Sequence, residues 1–356
     1  MKMFNLADNL EGYTLGKWTV QSKIPHNAST GGFFSIGYNV IDDKGNEGFL
    51  KALDFSKAFR TPSPMDTLRS MTNAYTYERD LLNKCRDKRL RYIVKIVDCG
   101  EFHLDFKDYP PNTMVPYPDV SYIVLEKAEA SVRSIIDISK SIDYAWALRS
   151  LHNVAVGIQE MHGVQIAHQD IKPSNVLLFE SKKKSKLTDF GRSSTIDQAA
   201  EHDDLSCAGD ISYSPFEQLY GVVHPDWKVR RYSCDMFMFG NLIMTYFNNI
   251  SVTTSVINQL HPNFHPRNWP GTYDELLPQI ELAFTECIEN FNQNVDEELR
   301  KELIIMIKQL CHPDIKKRGI VRSQGLSSVQ FSLQQYISRL DLLARKWEYS
   351  FRKVNL

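Results

Sequence analysis

The sequence predicts an α+β protein: a small antiparallel β part with one main helix, followed by a larger, mainly helical part. Two observations carry this. Short runs rich in β-branched and aromatic residues, bounded by turn signals, fill residues 18–53 and recur at 92–97 and 121–125. Beyond Glu126 the apolar residues recur at helical spacing instead, and the change of character falls near residues 126–130.

Taken in order, Trp18, Thr19 and Val20 and then residues 35–41 read as strands, with Gly31-Gly32 and Asp43-Lys44-Gly45-Asn46 as turns. Residues 67–86 space Met71, Ala74, Tyr75, Leu81 and Leu82 as a helix does. Residues 92–97 and 121–125 read as strands around a proline-rich loop at 108–119. Later, 145–161 has a helical period, 237–247 reads as a buried helix, and 276–291, 297–310 and 331–352 are amphipathic. Lys182, Lys183, Lys184 and Lys186 lie between two strand-like segments and read as a solvated hairpin turn.

Composition narrows the function classes. Apolar residues make up 42% and charged residues 24%, and 42 Lys plus Arg balance 43 Asp plus Glu. So even a balance gives no field to attract nucleic acid or an acidic membrane, and neither is an expected partner. The six cysteines are scattered without a CxxC pair, as in a protein with reduced thiols and no zinc site. The longest apolar stretch, 236–247, is shorter than the ~18 residues that a membrane span needs. With no signal-peptide pattern at the N-terminus, the expected location is cytoplasmic.

The chemistry is concentrated in His168-Gln169-Asp170-Ile171-Lys172-Pro173-Ser174-Asn175 and in Asp189-Phe190-Gly191. An Asp, a Lys two residues on and an Asn five residues on can converge on one irregular loop. Phosphoryl transfer needs such a set: a carboxylate to orient the attacking hydroxyl, an ammonium to offset phosphoryl charge, and an amide oxygen to bind a metal. Asp189 offers a second hard oxygen ligand, and Gly191 is expected to relieve the backbone so that this carboxylate turns inward.

This segment resembles the catalytic loop and Asp-Phe-Gly motif of the eukaryotic-like (Hanks-type) Ser/Thr protein kinases. The resemblance implies a bilobal protein-kinase-like fold that uses ATP and Mg²⁺, with Mn²⁺ as the alternative metal. It makes Asp170 the catalytic base, places Lys172 on the γ-phosphate, gives Asn175 and Asp189 to the metal, and puts Leu177 under adenine. Upstream it selects Lys51, in Gly48-Phe49-Leu50-Lys51, for the α- and β-phosphates, and Glu78 as its partner, with Asp80 as a weaker rival. Leu125 becomes the gatekeeper, and the backbone of Glu126 and Ala128 meets the adenine edge. Glu217 and Arg318 match the ion pair that braces the family's activation segment, and Asp235 matches the buried Asp that caps its catalytic loop. Lys172 followed by Pro173 is similar to Ser/Thr kinases more than to tyrosine kinases. The implied reaction is transfer to protein hydroxyls, the chain itself among the substrates. A pseudokinase scaffold and a small-molecule phosphotransferase of kinase-like fold are the alternatives.

The implied boundaries are an N-terminal extension (1–16), an N-lobe (17–126), a C-lobe (127–324) with an insertion near 252–299, and a C-terminal helical extension (325–356). The insertion, with its Pro- and aromatic-rich residues 261–270, reads as a packed surface loop, and the last helix as packing on the C-lobe.

The chain departs from the pattern in five places. The glycine-rich loop keeps Gly31 and Gly32, but only Gly32 falls on one of the family's three glycine positions. Phe49 stands where a small alanine covers adenine, and Gly37 where a valine does, so a large side chain on one strand is expected to fill space left on the other. Asp210 stands in place of a bridging threonine. Gln169 replaces the arginine that docks a phosphorylated activation loop. A neutral amide cannot do this, so activity is expected to survive replacement of Ser193, Ser194, Thr195, Ser206 and Ser212 by Ala.

Overall fold

A computed structural model describes residues 2–25, 34–138, 142–320 and 329–354. Gly31 and Gly32 lie outside the described residues. Contacts divide the chain into two compact units, 1–89 with 94–128, and 90–93 with 129–356.

The first unit is built on a six-stranded antiparallel sheet. Its order is Thr14–Leu15, β1 (Trp18–Lys23), β2 (Ser35–Asp42), β3 (Glu47–Leu53), β5 (Asp119–Glu126) and β4 (Ile96–His103). Alternate residues of β2 share one face of the strand, so Ile36, Tyr38 and Val40 enter the core together with Trp18, Val20, Leu50, Ala52 and Val124. Leu6 and Leu10 join the same core, and Tyr38 Oη donates to Ala7 O at 2.8 Å, so the first residues are part of this unit. In the β2–β3 turn, Asp42 Oδ1 accepts from Lys44 N–H and Asn46 N–H, and Gly45 takes φ 82°. Helix α1 (Pro64–Asp87) starts on a proline, which has no N–H to leave unsatisfied, and buries Met71, Tyr77, Glu78, Leu81 and Leu82.

The strand expected at 92–97 lies elsewhere. Pairing with β5 begins at Ile96 and runs to His103, while Ile93 bridges Leu187 in the second unit. Asp98, Glu101 and His103 break the apolar run, which hides the strand's length in the sequence. The proline-rich loop holds one short strand, Thr113–Met114, paired in parallel with Lys2–Met3.

The second unit is mainly helical: α2 (Val132–Ile138), α3 (Tyr144–Gly163), α4 (Trp227–Asn248), α5 (Val252–Gln259), α6 (Tyr273–Glu289), α7 (Glu297–Leu310) and α8 (Gln334–Val354). Helix α4 is buried from Ser233 to Phe247, too apolar on every side for a surface helix. A hairpin of β6 (Val176–Phe179) and β7 (Lys184–Leu187) turns through Glu180, Ser181 and Lys182, all at positive φ. Lys182 and Lys183 are exposed as expected, but Lys186 is buried with its ammonium 4.7 Å from the centre of the Phe179 ring. Residues 261–270 are ordered by local bonds, including Asn268 Nδ2 to Pro262 O and Trp269 Nε1 to Thr272 O. Helix α8 packs on α3: Leu340 and Ala344 are fully buried, Trp347 meets the Tyr144 ring edge-on, and Arg149 bonds Asp341 and Glu348. Among the described residues no helix is long and apolar enough to cross a membrane.

Candidate active site

In the second unit the site hangs from one buried carboxylate on α4. Asp235 Oδ2 accepts from His168 N–H at 2.8 Å and lies 2.8 Å from His162 Nε2. Its Oδ1 accepts from Gln169 N–H at 2.8 Å and from the Gln169 side-chain amide at 2.9 Å. Burial alone would raise the Asp235 carboxyl, but the bond and charge of His162 and the Gln169 N–H hold it below the usual range. These bonds fix the loop backbone, including Gln169 in the left-handed region at φ 63°.

Asp170 follows directly and gathers its neighbours. Its Oδ1 accepts from Asp210 N–H at 2.8 Å, and its Oδ2 accepts from Asn175 Nδ2 at 2.9 Å and pairs with Lys172 Nζ at 3.0 Å. Lys172 also reaches Asp210 at 3.5 Å, so the carboxylate that replaces the family's threonine accepts from it. Burial pulls the Lys172 pKa down, but Asp170, then Asp210 and Asp189, keep it above the ordinary lysine value. The ammonium therefore stays charged at neutral pH. Asn175 Nδ2 donates to Asp170 O as well, which leaves its Oδ1 to accept.

Asp189 itself takes the left-handed backbone, φ 65°, and its carboxylate has no hydrogen-bond or ion-pair partner among the described residues. The role expected of Gly191 is corrected here. Gly191 is not at positive φ, and a Cβ there would meet Asp189 Oδ1 at an ordinary 3.5 Å; the turn that redirects the chain is in Asp189. Phe190 is buried beside the His168 ring, and His168 Nε2 lies 3.0 Å from Thr188 O. Leu177 is half-buried on β6, opposite Lys186 and Ser131. Asn175 Oδ1 and the Asp189 carboxylate are hard oxygen donors, a set that suits Mg²⁺ better than zinc.

In the first unit Lys51 Nζ meets both oxygens of Glu78, at 2.9 and 2.7 Å. Asp80 pairs with Arg79 at the surface, which decides between the two acids. The Phe49 ring fills the space above Gly37: a Cβ on Gly37 would lie 2.9 Å from Phe49 Cε2. Leu125 is buried opposite Phe49 in the β3–β5 register. Glu126 N–H donates to Lys95 O, and Glu126 Oε1 accepts from Lys95 N–H. Ala128 is the last residue of this unit.

Glu217 and Arg318 form a two-pronged buried ion pair at 2.8 and 2.9 Å. Two residues that sequence reasoning missed also shape the site. A Cβ on Gly209 would stand 2.1 Å from Gln169 O, so only glycine lets the activation segment approach the loop this closely. Arg231, on α4, donates from Nη1 to Gln169 Oε1 at 3.2 Å, and no motif spacing marks it.

A sheet-based unit with a Lys–Glu pair, and a helical unit that suspends an Asp-Lys-Asn loop from a buried carboxylate, define a protein-kinase-type fold. A sequence model of the protein kinase domain matches residues 56–324, three quarters of the chain. The chain belongs to the protein kinase domain family. Lys51 lies outside the matched residues, so its assignment rests on its pairing with Glu78. A probable serine/threonine-protein kinase of Clostridium perfringens is 26% identical over 166 residues, 45% of this chain and 24% of that protein. The alpha subunit of CTD kinase from Saccharomyces cerevisiae is 23% identical over 220 residues, 57% of this chain and 40% of that protein. A cysteine-rich receptor-like protein kinase of Arabidopsis thaliana is 22% identical over 317 residues, 86% of this chain and 42% of that protein. The chain thus spans less than half the length of each of these relatives.

Proposed function

We propose that this chain transfers the γ-phosphate of ATP to serine and threonine hydroxyls of proteins, itself included. The observation that carries the reading is the gathering of Lys172, Asn175 and the Asp210 N–H on the two oxygens of Asp170. Held this way, Asp170 orients an incoming hydroxyl and takes its proton as the oxygen attacks phosphorus. Lys172, kept protonated by its acidic neighbours, offsets charge on the phosphoryl oxygens. Lys51, held by Glu78, serves the α- and β-phosphates. Phe49, Leu125 and the backbone of Glu126 and Ala128 are the first unit's contacts for the base, and Leu177 is the second unit's. Asn175 and Asp189 would hold Mg²⁺, which shields the phosphate charges when bound. The lobe boundaries near 126 and 324, and a cytoplasmic setting, belong to the same reading.

The test is transfer from radiolabelled ATP to generic protein substrates by purified wild type and Asp170→Ala. Label on serine and threonine that disappears in the variant is the expected result. Mg-ATP binding without transfer by the wild type would establish a pseudokinase, and label on metabolites alone a small-molecule enzyme.

A further inference from the structure

The arginine missing from position 169 has a counterpart on another element. Arg231 is on α4, its guanidinium is 1% exposed, and a cation so buried needs an acid partner. That partner is Asp203 in the activation segment: Arg231 Nη2 donates to Asp203 Oδ1 at 2.6 Å and to Asp203 O at 3.0 Å. On its other side the guanidinium donates to Gln169 Oε1, and the Gln169 amide donates back to Arg231 O at 2.9 Å. A continuous chain therefore runs Asp203–Arg231–Gln169, ending one residue before the proposed base. Its surroundings tighten the segment further. Arg230 donates to the carbonyls of Asp203 and Leu205, Asp203 Oδ2 accepts from Ala200 N–H, and His202 Nε2 lies 2.9 Å from Ser193 O.

We propose that Arg231 and Asp203 are positioning residues of the transfer site, a genetically encoded carboxylate–guanidinium clamp that orders the activation segment without a phosphate. The proposal rests on the kinase reading above. A phosphoryl group on a loop acts by giving an arginine a charge-assisted bond; the Asp203 carboxylate makes that bond without prior modification. The hydroxyls of the segment point the same way. Ser193, Ser194 and Thr195 are buried, with Ser193 Oγ donating to His168 O and Ser194 Oγ accepting from Trp227 Nε1. Only Ser206 and Ser212, of the five hydroxyls considered, are open to a clean replacement test.

The experiment uses the full chain, treated with phosphatase, and a generic protein substrate. Asp203→Asn should lower kcat about tenfold, the scale of one lost charge-assisted bond, with little change in KM for ATP. Asp203→Glu should restore most of it. In parallel, limited proteolysis within residues 196–212 should accelerate in Asp203→Asn and not in Asp203→Glu. Phosphatase treatment, and the double variant Ser206→Ala/Ser212→Ala, should leave wild-type activity within about twofold. If Asp203→Asn does not fold, the Arg231→Met/Asp203→Leu pair, which leaves no lone buried charge, is measured in the same assays with the same expected loss. Full kcat and unchanged proteolysis in Asp203→Asn would overturn the proposal, and so would loss of wild-type activity on dephosphorylation. If the wild type transfers no phosphate, the kinase reading fails, and the proteolysis comparison alone decides the clamp.

Discussion

At the scale of single residues, the informative positions are those where the chain departs from its family and a neighbour compensates. Phe49 and Gly37 are one such pair, with the ring occupying the volume that a side chain on Gly37 would need. Phe49→Ala is expected to weaken ATP binding several-fold, on the order of 1 kcal/mol for a lost apolar roof. Gly37→Val alone should also weaken it, because its Cβ would be forced against the ring. The double variant should recover much of the affinity, and a calorimetric double-mutant cycle checks this. Additive losses would show that the two residues do not share one space. This swap was legible through the family resemblance, which marks both positions as departures; the register that sets the two side by side came from the structure. The Gln169–Arg231 relation was not legible, since the two lie 62 residues apart and only the fold makes them neighbours.

At the scale of elements, the catalytic loop depends on α4, and α3 depends on α8. Leu340 is completely buried where α8 crosses α3, and Arg149 on α3 bonds two carboxylates of α8. Leu340→Ala should cost about 2–5 kcal/mol of stability by leaving a cavity. Arg149→Met should cost less, because its ion pairs are partly solvated and screened. Chemical denaturation of the two variants tests the order, and an Arg149 variant less stable than the Leu340 one would contradict it. Strong periods made α1, α3, α7 and α8 readable in advance. Ile96–His103 was mislocated because a strand whose polar residues interrupt its apolar run shows itself only through its partner.

At the scale of the whole molecule, near-equal acid and base content leaves the pH response to buried groups. Burial holds the imidazoles of His152, His202 and His312 below the ordinary value of about 6.5. The unfolded chain then binds protons that the folded chain resists, so stability is complete above that value and declines as pH falls toward the lower folded values. The melting temperature should be level between pH 8 and 7 and drop below about pH 6.5, with a further loss below about pH 4 as Asp235 and Asp341 protonate, because both are held below the usual carboxylate range. His202→Gln should make the first decline shallower. A melting temperature that rises from pH 7 to 5 would reverse the sign of the argument.

The family and the Asp170–Lys172–Asn175 loop were determined by the sequence alone, because spacing on one loop and helical or strand periods survive without a fold. The Glu217–Arg318 match came only through the family resemblance, since the two lie 101 residues apart. The tertiary structure decided the rest. It selected Glu78 over Asp80, moved the backbone strain from Gly191 to Asp189, required glycine at 209, and brought Arg231 between Asp203 and Gln169. Each of these is a contact between residues far apart in the chain, or a choice of φ that burial enforces. Neither leaves a periodic trace in the sequence.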